Sequence, residues 1–235
     1  MPELPDVVGF KKYLDATSLH QRIQSTECLD DRFIKEVSRQ RLQQRLKGAE
    51  LEGSDRWGKW LFVDLSEGGR LVLHFGMTGQ LDYGEDRGEP PEHARLVLHF
   101  ANGRRLAVIS QRMIAQASYT EDSSAFGREH ELGPDALDRK LDVRSFLELM
   151  RGRRGSIKSA LMNQSVIAGI GNVYSDEVLF QSHVHPRANI KRIDESSLRE
   201  VYKQMRRVLR AAARRGGNGR KAPRTWLLGG RGADS

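Results

Sequence analysis

The sequence predicts an α+β protein, with a leading helix and antiparallel sheets packed face to face in its first half and only helices in its second. Three observations carry this. Short apolar runs bounded by Gly, Asp, Asn and Pro fill residues 46–117. Helical periodicity replaces them beyond residue 140. Between the two, Glu131-Leu132-Gly133-Pro134-Asp135 suits neither pattern, so a linker at 130–137 is expected between a domain of residues 1–129 and one of 138–235. A chain of 235 residues is long enough for each part to bury a core.

Taken in order, Pro5 to about Ala16 reads as a short helix with Val7, Phe10, Tyr13 and Leu14 on one face. Trp60–Leu65, Arg70–Phe75, Arg95–Phe100 and Arg104–Ile109 read as strands, and Ala101-Asn102-Gly103-Arg104 as a hairpin turn. Arg-Leu-Val-Leu-His-Phe occurs twice, at 70–75 and 95–100, which is too short a unit to indicate a domain repeat. Leu141–Arg151, Ile157–Met162, Val173–Ser182 and Glu195–Arg214 carry helical spacing, with Asp142, Asn172 and Asp194 as N-caps. Gly216-Gly217-Asn218-Gly219 and Gly229-Gly230-Arg231-Gly232 read as loops.

Composition narrows the partner. No window approaches the ~18 apolar residues of a membrane span, and acidic Glu3 and Asp6 stand where a signal peptide would be basic. Cys28 is the single cysteine, which excludes an internal disulfide and fits a reducing cytoplasm. The net charge of +8 is uneven: residues 151–235 hold 18 Lys/Arg against 6 Asp/Glu, while the first 150 are net −4. A basic second half points to a polyanion, most simply nucleic acid, although solvated helix faces such as Arg206-Arg207-Val208-Leu209-Arg210 give the same count.

Two segments carry chemistry. Removal of Met1 would leave Pro2 with a secondary amine able to attack a carbonyl-like carbon and form an iminium, with Glu3 beside it to move a proton. The same residues also read as an ordinary helix start. The second segment is Ile157-Lys158-Ser159-Ala160-Leu161-Met162-Asn163-Gln164-Ser165-Val166-Ile167-Ala168-Gly169-Ile170-Gly171-Asn172-Val173-Tyr174. It joins two helices through a Gly-Ile-Gly-Asn connection, where Gly169 and Gly171 allow close backbone approach. The N–H groups opening the next helix are then expected to receive a phosphate, assisted by the Asn172 side chain.

This segment resembles the helix–two-turns–helix element of the formamidopyrimidine-DNA glycosylase/endonuclease VIII family. Pro2-Glu3-Leu4-Pro5, Gly58-Lys59-Trp60-Leu61 and His74-Phe75-Gly76-Met77-Thr78-Gly79 match the same family in the same order, so the likeness spans essentially residues 2–235. The resemblance implies a base-excision enzyme that removes oxidised bases from double-stranded DNA and then cuts the strand at the abasic site. It makes Pro2 the nucleophile on the deoxyribose C1′, Glu3 the proton donor and later the base in elimination, and Lys59 a group near the phosphate or lesion. Met77 becomes the wedge filling the gap left by a flipped nucleotide, Arg112 the residue reaching the orphaned base, and Lys158 with Asn172 the pair holding the backbone. Residue by residue, blander readings remain: Lys59 as a solvated residue, Met77 as core filler, Asn172 as a helix cap alone.

The departures matter too. Asp6 stands where the family usually has Glu, and Ser110-Gln111-Arg112-Met113-Ile114 replaces a run resembling Asp-Pro-Arg-Arg-Phe, so the aromatic wedge is missing. The family's C-terminal zinc ribbon needs four thiolates, and this chain has only Cys28, so no metal or other cofactor is assigned, whether through truncation or loss of the ribbon. The competing expectations are a catalytically weakened or inactive binder of damaged or abasic DNA and, more remotely, an RNA-binding module, for which the Pro2-Glu3 pair has no use. A monomer, with no membrane association, located in a bacterial-type cytoplasm and on the nucleoid through DNA, completes the reading.

Overall fold

In the computed structural model, residues 1–217 and 222–230 are described. The expected apolar runs become strands: β3 (Trp60–Leu65), β4 (Arg70–His74), β6 (Ala94–Phe100) and β7 (Arg104–Ile109). Four more strands escaped the sequence reading as discrete elements: β1 (Ile23–Cys28), β2 (Leu51–Trp57), β5 (Gln80–Glu85) and β8 (Gln116–Thr120). Their place in the sheets explains this. One sheet runs β1-β6-β7-β5 and the other β2-β3-β4-β8, so every strand that was missed is an edge strand. An edge strand tolerates Gln, Ser, Glu and Gly, whereas a central strand covered on both faces reads as one apolar run. The two copies of Arg-Leu-Val-Leu-His-Phe lie in central strands of opposite sheets, β4 and β6.

All ladders are antiparallel. Leu61, Val63, Leu71 and Leu73 from one sheet and Leu96, Leu98, Leu106 and Val108 from the other meet in one buried core, which makes the unit a sandwich. The alternate residues of β3 face outward, where Trp60 and Phe62 pack edge-on against Phe126 at 5.0 and 5.4 Å. The leading helix α1 runs Leu4–Ser18, and Val7 and Leu14 enter the same core while Phe10 packs on Phe75. Tyr13, expected on that apolar face, is instead half-exposed, and its hydroxyl accepts the Tyr83 N–H at 3.0 Å. Two further helices, α2 (Arg39–Leu46) and α3 (Ser123–Glu129), were not foreseen.

The second unit contains α4 (Val143–Met150), α5 (Ile157–Met162), α6 (Asn172–Gln181), α7 (Glu195–Arg214) and the single turn α8 (Leu227–Gly230). Asp142 and Asp194 cap α4 and α7 as expected, accepting the Ser145 and Ser197 N–H groups at 2.8 Å each. α7 buries Leu198, Val201, Met205, Val208 and Leu209, and Phe146 of α4 packs on Tyr202 at 5.4 Å. Of the expected loops, Gly216 and Gly217 adopt positive φ and Gly229-Gly230 closes α8, while Asn218, Gly219, Arg231 and Gly232 lie outside the described residues.

The division of the chain differs from the expected 1–129 and 138–235. One unit comprises Met1–Pro2 with Val7–Phe126, the other Glu3–Asp6 with Gly127–Ser235. Residues 133–136 belong to the helical unit because they are laced to the turns after α5: Gly133 N–H donates to Gln164, Ala136 N–H to Ala168, and Ala168 N–H to Pro134. Glu3–Asp6 join it for a reason that lies in the candidate site.

Candidate active site

Glu3 sits at the N-cap position of α1, and its backbone N–H donates to the Asp6 carboxylate at 2.8 Å, half of a capping box. The Glu3 side chain does not serve α1. It is 1% exposed and turned to α6, where its carboxylate accepts the N–H groups of Gly171 (2.7 Å), Val173 (2.8 Å) and Tyr174 (3.2 Å). These are donors that a helix start leaves without intrahelical acceptors, and the positive end of the helix dipole lies on the same carboxylate. Leu4 N–H donates to the Gly169 carbonyl at 3.0 Å. The two glycines make this approach possible: a Cβ on Gly171 would lie 2.5 Å from the Glu3 carboxyl carbon, and one on Gly169, at φ +115°, 2.6 Å from a Leu4 methyl.

This corrects the expected role of the Gly-Ile-Gly-Asn connection. The close approach is real, but the anion received by the Gly171, Val173 and Tyr174 N–H groups is the chain's own Glu3. Asn172 is likewise not the cap of α6; Gly171 occupies that position without a side-chain bond, and Asn172 is the exposed first residue of the helix.

The sequence shows Asp6 only as a shortened acid. Burial, with the Glu3 carboxylate adding to it, raises its carboxyl from 3.8 to about 6 against the lowering effect of the Glu3 N–H. Tyr174 is buried, donates its hydroxyl to the Gly217 carbonyl at 3.1 Å, and is pushed above the usual phenol range by burial and then by Asp6, Glu3 and Glu177. Lys158 on α5 lies 2.7 Å from Asp176 of α6, both partly exposed. Asp176 is one turn beyond Asn172 and so shares its side of α6, a spacing visible in the sequence. Gln164 holds the connection between the helices, donating to the Met162 and Ile170 carbonyls and accepting from Gly169 N–H.

In the sandwich unit, Pro2 precedes α1 and is partly exposed, and Met1 is exposed. Lys59 is not the solvated residue at a strand start that one reading allowed. It is 7% exposed and stands in a two-residue hairpin loop between β2 and β3, closed by Trp57 opposite Trp60. Gly58 leads that loop at φ +59°, as such turns require, and its carbonyl accepts the Arg56 guanidinium at 2.8 Å.

Met77 is not core filler, being 41% exposed on the loop between β4 and β5. Arg112 stands on the loop after β7, its backbone N–H donating to Thr78 Oγ1 at 3.3 Å and its guanidinium lying 3.6 Å from the Met77 sulfur. The two loops touch backbone to backbone: a Cβ on Gly76, at φ +54°, would fall 2.5 Å from Ile114 C and Ala115 N. Ile114 is itself half-exposed. Met77, Arg112 and Ile114 thus stand together on paired loops as two apolar tips and a cation.

A four-thiolate zinc site does not fit these 235 residues. Cys28 is the only cysteine, it is buried in β1, and burial pushes its thiol up to about 11, away from the thiolate that a metal requires. Among the described residues, no group of three or more His, Cys, Asp or Glu is placed to hold a metal ion, and no helix is long and apolar enough to cross a membrane.

A sandwich, and a helix–two-turns–helix whose second helix is joined to Glu3, define a class of DNA glycosylase, and comparison with known proteins agrees. Residues 1–117 match the formamidopyrimidine-DNA glycosylase N-terminal domain and residues 132–223 the H2TH domain of the same enzymes. The formamidopyrimidine-DNA glycosylase of Moorella thermoacetica is 33% identical over 89% of this chain and 77% of its own length, and that of Roseiflexus sp. is 31% identical over 93% and 80%. The Lactococcus lactis enzyme bound non-covalently to DNA containing an AP site superposes with a TM-score of 0.87 at 26% identity, over 93% of this chain and 84% of that one. The same enzyme with FAPY-dG DNA also gives 0.87. The chain belongs to the formamidopyrimidine-DNA glycosylase family.

Proposed function

We propose that this protein is a base-excision repair DNA glycosylase with abasic-site lyase activity, acting as a monomer on chromosomal DNA that carries oxidised bases or abasic sites. The observation that carries the reading is Glu3. A fully buried carboxylate held by three backbone N–H groups, next in sequence to a nucleophile-capable proline, is a fixed acid–base group. In the proposed reaction the Pro2 secondary amine, exposed once Met1 is removed, attacks C1′ as the damaged base leaves with a proton. The nitrogen loses its proton and its lone pair then expels O4′, which Glu3 protonates as the C1′–O4′ bond breaks and the sugar ring opens; the resulting iminium acidifies the C2′ proton. Removal of that proton, with Glu3 as the base, expels the 3′ phosphate and cuts the strand. Lys59 stands near the phosphate or lesion, Lys158 and Asn172 hold the backbone, and Met77 and Arg112 enter the duplex gap with Ile114 in place of an aromatic tip.

Trapping with borohydride on a duplex bearing one abasic site tests this. The processed chain should form a covalent adduct, and a chain carrying an uncleaved N-terminal extension, whose Pro2 nitrogen is an amide, should not. Equal adduct from both chains would overturn the role of Pro2. No adduct from a chain shown by mass spectrometry to begin at Pro2 would leave a binder of damaged DNA. Because an abasic site has no base to extrude, the lyase step should be less sensitive than duplex lesion excision to the missing aromatic tip.

A further inference from the structure

Between Val201 and Gly230 the sequence holds nine Lys/Arg and no Asp or Glu. Much of this charge lies on α7, whose apolar side is buried and whose exposed side carries Arg199, Lys203, Arg207, Arg210 and Arg214 at helical spacing. The two ends of this stripe differ. Toward the N-terminus the charge is locally balanced, with Arg199 2.7 Å from Glu195 and Lys203 3.1 Å from Glu200. Further along, Arg207 is held by the neutral Gln204 and Gln181 side chains, and among the described residues no carboxylate pairs with Arg210 or Arg214. Beneath them the buried Arg206 guanidinium donates to the Ala136 and Asp138 carbonyls, and among the described residues no acid pairs with it. The surface is concave, a groove of about 490 Å³ lined by these arginines with Tyr202 and Lys203.

Two ordinary explanations fall short. Compensation of the helix dipole acts within the last turn, which accounts for Arg214 but not for Arg207 or Arg210. A solvated helix face is usually salt-laced with both signs, as the first turns of α7 are and its second half is not.

We infer that this groove is a second phosphate-backbone surface, which takes duplex DNA outside the lesion's own footprint. Lys203 to Arg214 covers about 16 Å of helix, enough to follow roughly five phosphates of one strand at 3.4 Å rise each. It is separate from the helix–two-turns–helix corner: Arg207 bonds Gln181 at the C-terminal end of α6, whereas Asn172 opens that helix about 14 Å away. The inference rests on the proposed action on DNA.

The experiment compares the full-length chain with a Lys203→Gln/Arg210→Gln/Arg214→Gln variant on an abasic duplex of about 12 base pairs and an undamaged duplex of about 40, between 50 and 200 mM salt. On the long duplex, the slope of log affinity against log salt should fall by about 3 in the variant, with at least a tenfold loss of affinity near 100 mM. Borohydride trapping on the short duplex should stay within about twofold, which also reports the fold. An unchanged slope on the long duplex would overturn the proposal, and so would a slope change seen with RNA but not with DNA. Loss of trapping in the variant alone, with its urea unfolding midpoint unchanged, would place these residues inside the lesion site and refute a separate surface. Failure of both chains to trap, with the slope change intact, would sink the lyase reading and leave the groove standing.

Discussion

Glu3→Gln keeps the shape of the side chain and removes its charge. In the wild type, Oε2 accepts from Gly171 and Tyr174 and Oε1 from Val173. A glutamine has one acceptor oxygen. Its best placement keeps the Gly171 and Tyr174 bonds and turns an NH2 group toward the Val173 N–H, donor against donor, at a site 1% exposed. Losing a hydrogen bond to a charged group costs about 1.5–3 kcal/mol, and losing a negative charge at a helix N-terminus adds about 0.3–1 kcal/mol. The helical unit should therefore lose about 2–4 kcal/mol, and the Val173 amide should exchange faster by the corresponding factor of about 30 to 1,000. Hydrogen exchange at Gly171, Val173 and Tyr174 with urea titration reads both. Glu3→Asp, one methylene short of the helix, should cost a comparable amount while keeping the charge. Unchanged amide protection in Glu3→Gln, with stability within about 0.5 kcal/mol of wild type, would refute the claim that Glu3 caps α6.

Other expectations follow from the same structure. Because burial raises the Asp6 carboxyl to about 6 in the folded chain, above its unfolded value near 3.8, the folded state binds the extra proton. Stability should then fall as pH rises from about 4 to about 6, by up to about 3 kcal/mol, and level off above; Asp6→Asn should abolish that slope in pH-dependent unfolding. Gly76→Ala puts a Cβ against the Ile114 backbone at positive φ, so melting of the sandwich unit should drop by about 5 °C or more. Ile114→Phe, at a half-exposed position, should leave stability unchanged and raise duplex lesion excision about tenfold with little change in abasic cleavage, as base stacking is worth about 1–3 kcal/mol. Lys158→Gln should lower the salt slope of DNA binding by about 0.9, whereas Asp176→Asn, by releasing Lys158 from an exposed pair, should tighten binding roughly two- to fivefold.

Elements encoded by local spacing were legible without the fold. Central strands β3, β4, β6 and β7 are covered on both faces and read as continuous apolar runs; α7 is bounded by its own cap, and Asp142 and Asp194 bond N–H groups three residues away. The ordered motifs around Pro2, Lys59, Met77 and Lys158 carried the family as well. The remaining features depend on groups far apart in the chain. Edge strands β1, β2, β5 and β8 take their hydrogen bonds from one neighbour and need no apolar signature. The cap of α6 is supplied from residue 3, 168 positions before Gly171, so no window could show that Gly169 and Gly171 make room for Glu3 rather than for phosphate. The pairing of Lys158 with Asp176 and of Arg112 with Met77 is likewise a matter of which surfaces meet, and that is fixed by burial and backbone bonding across the fold, not by neighbours in sequence.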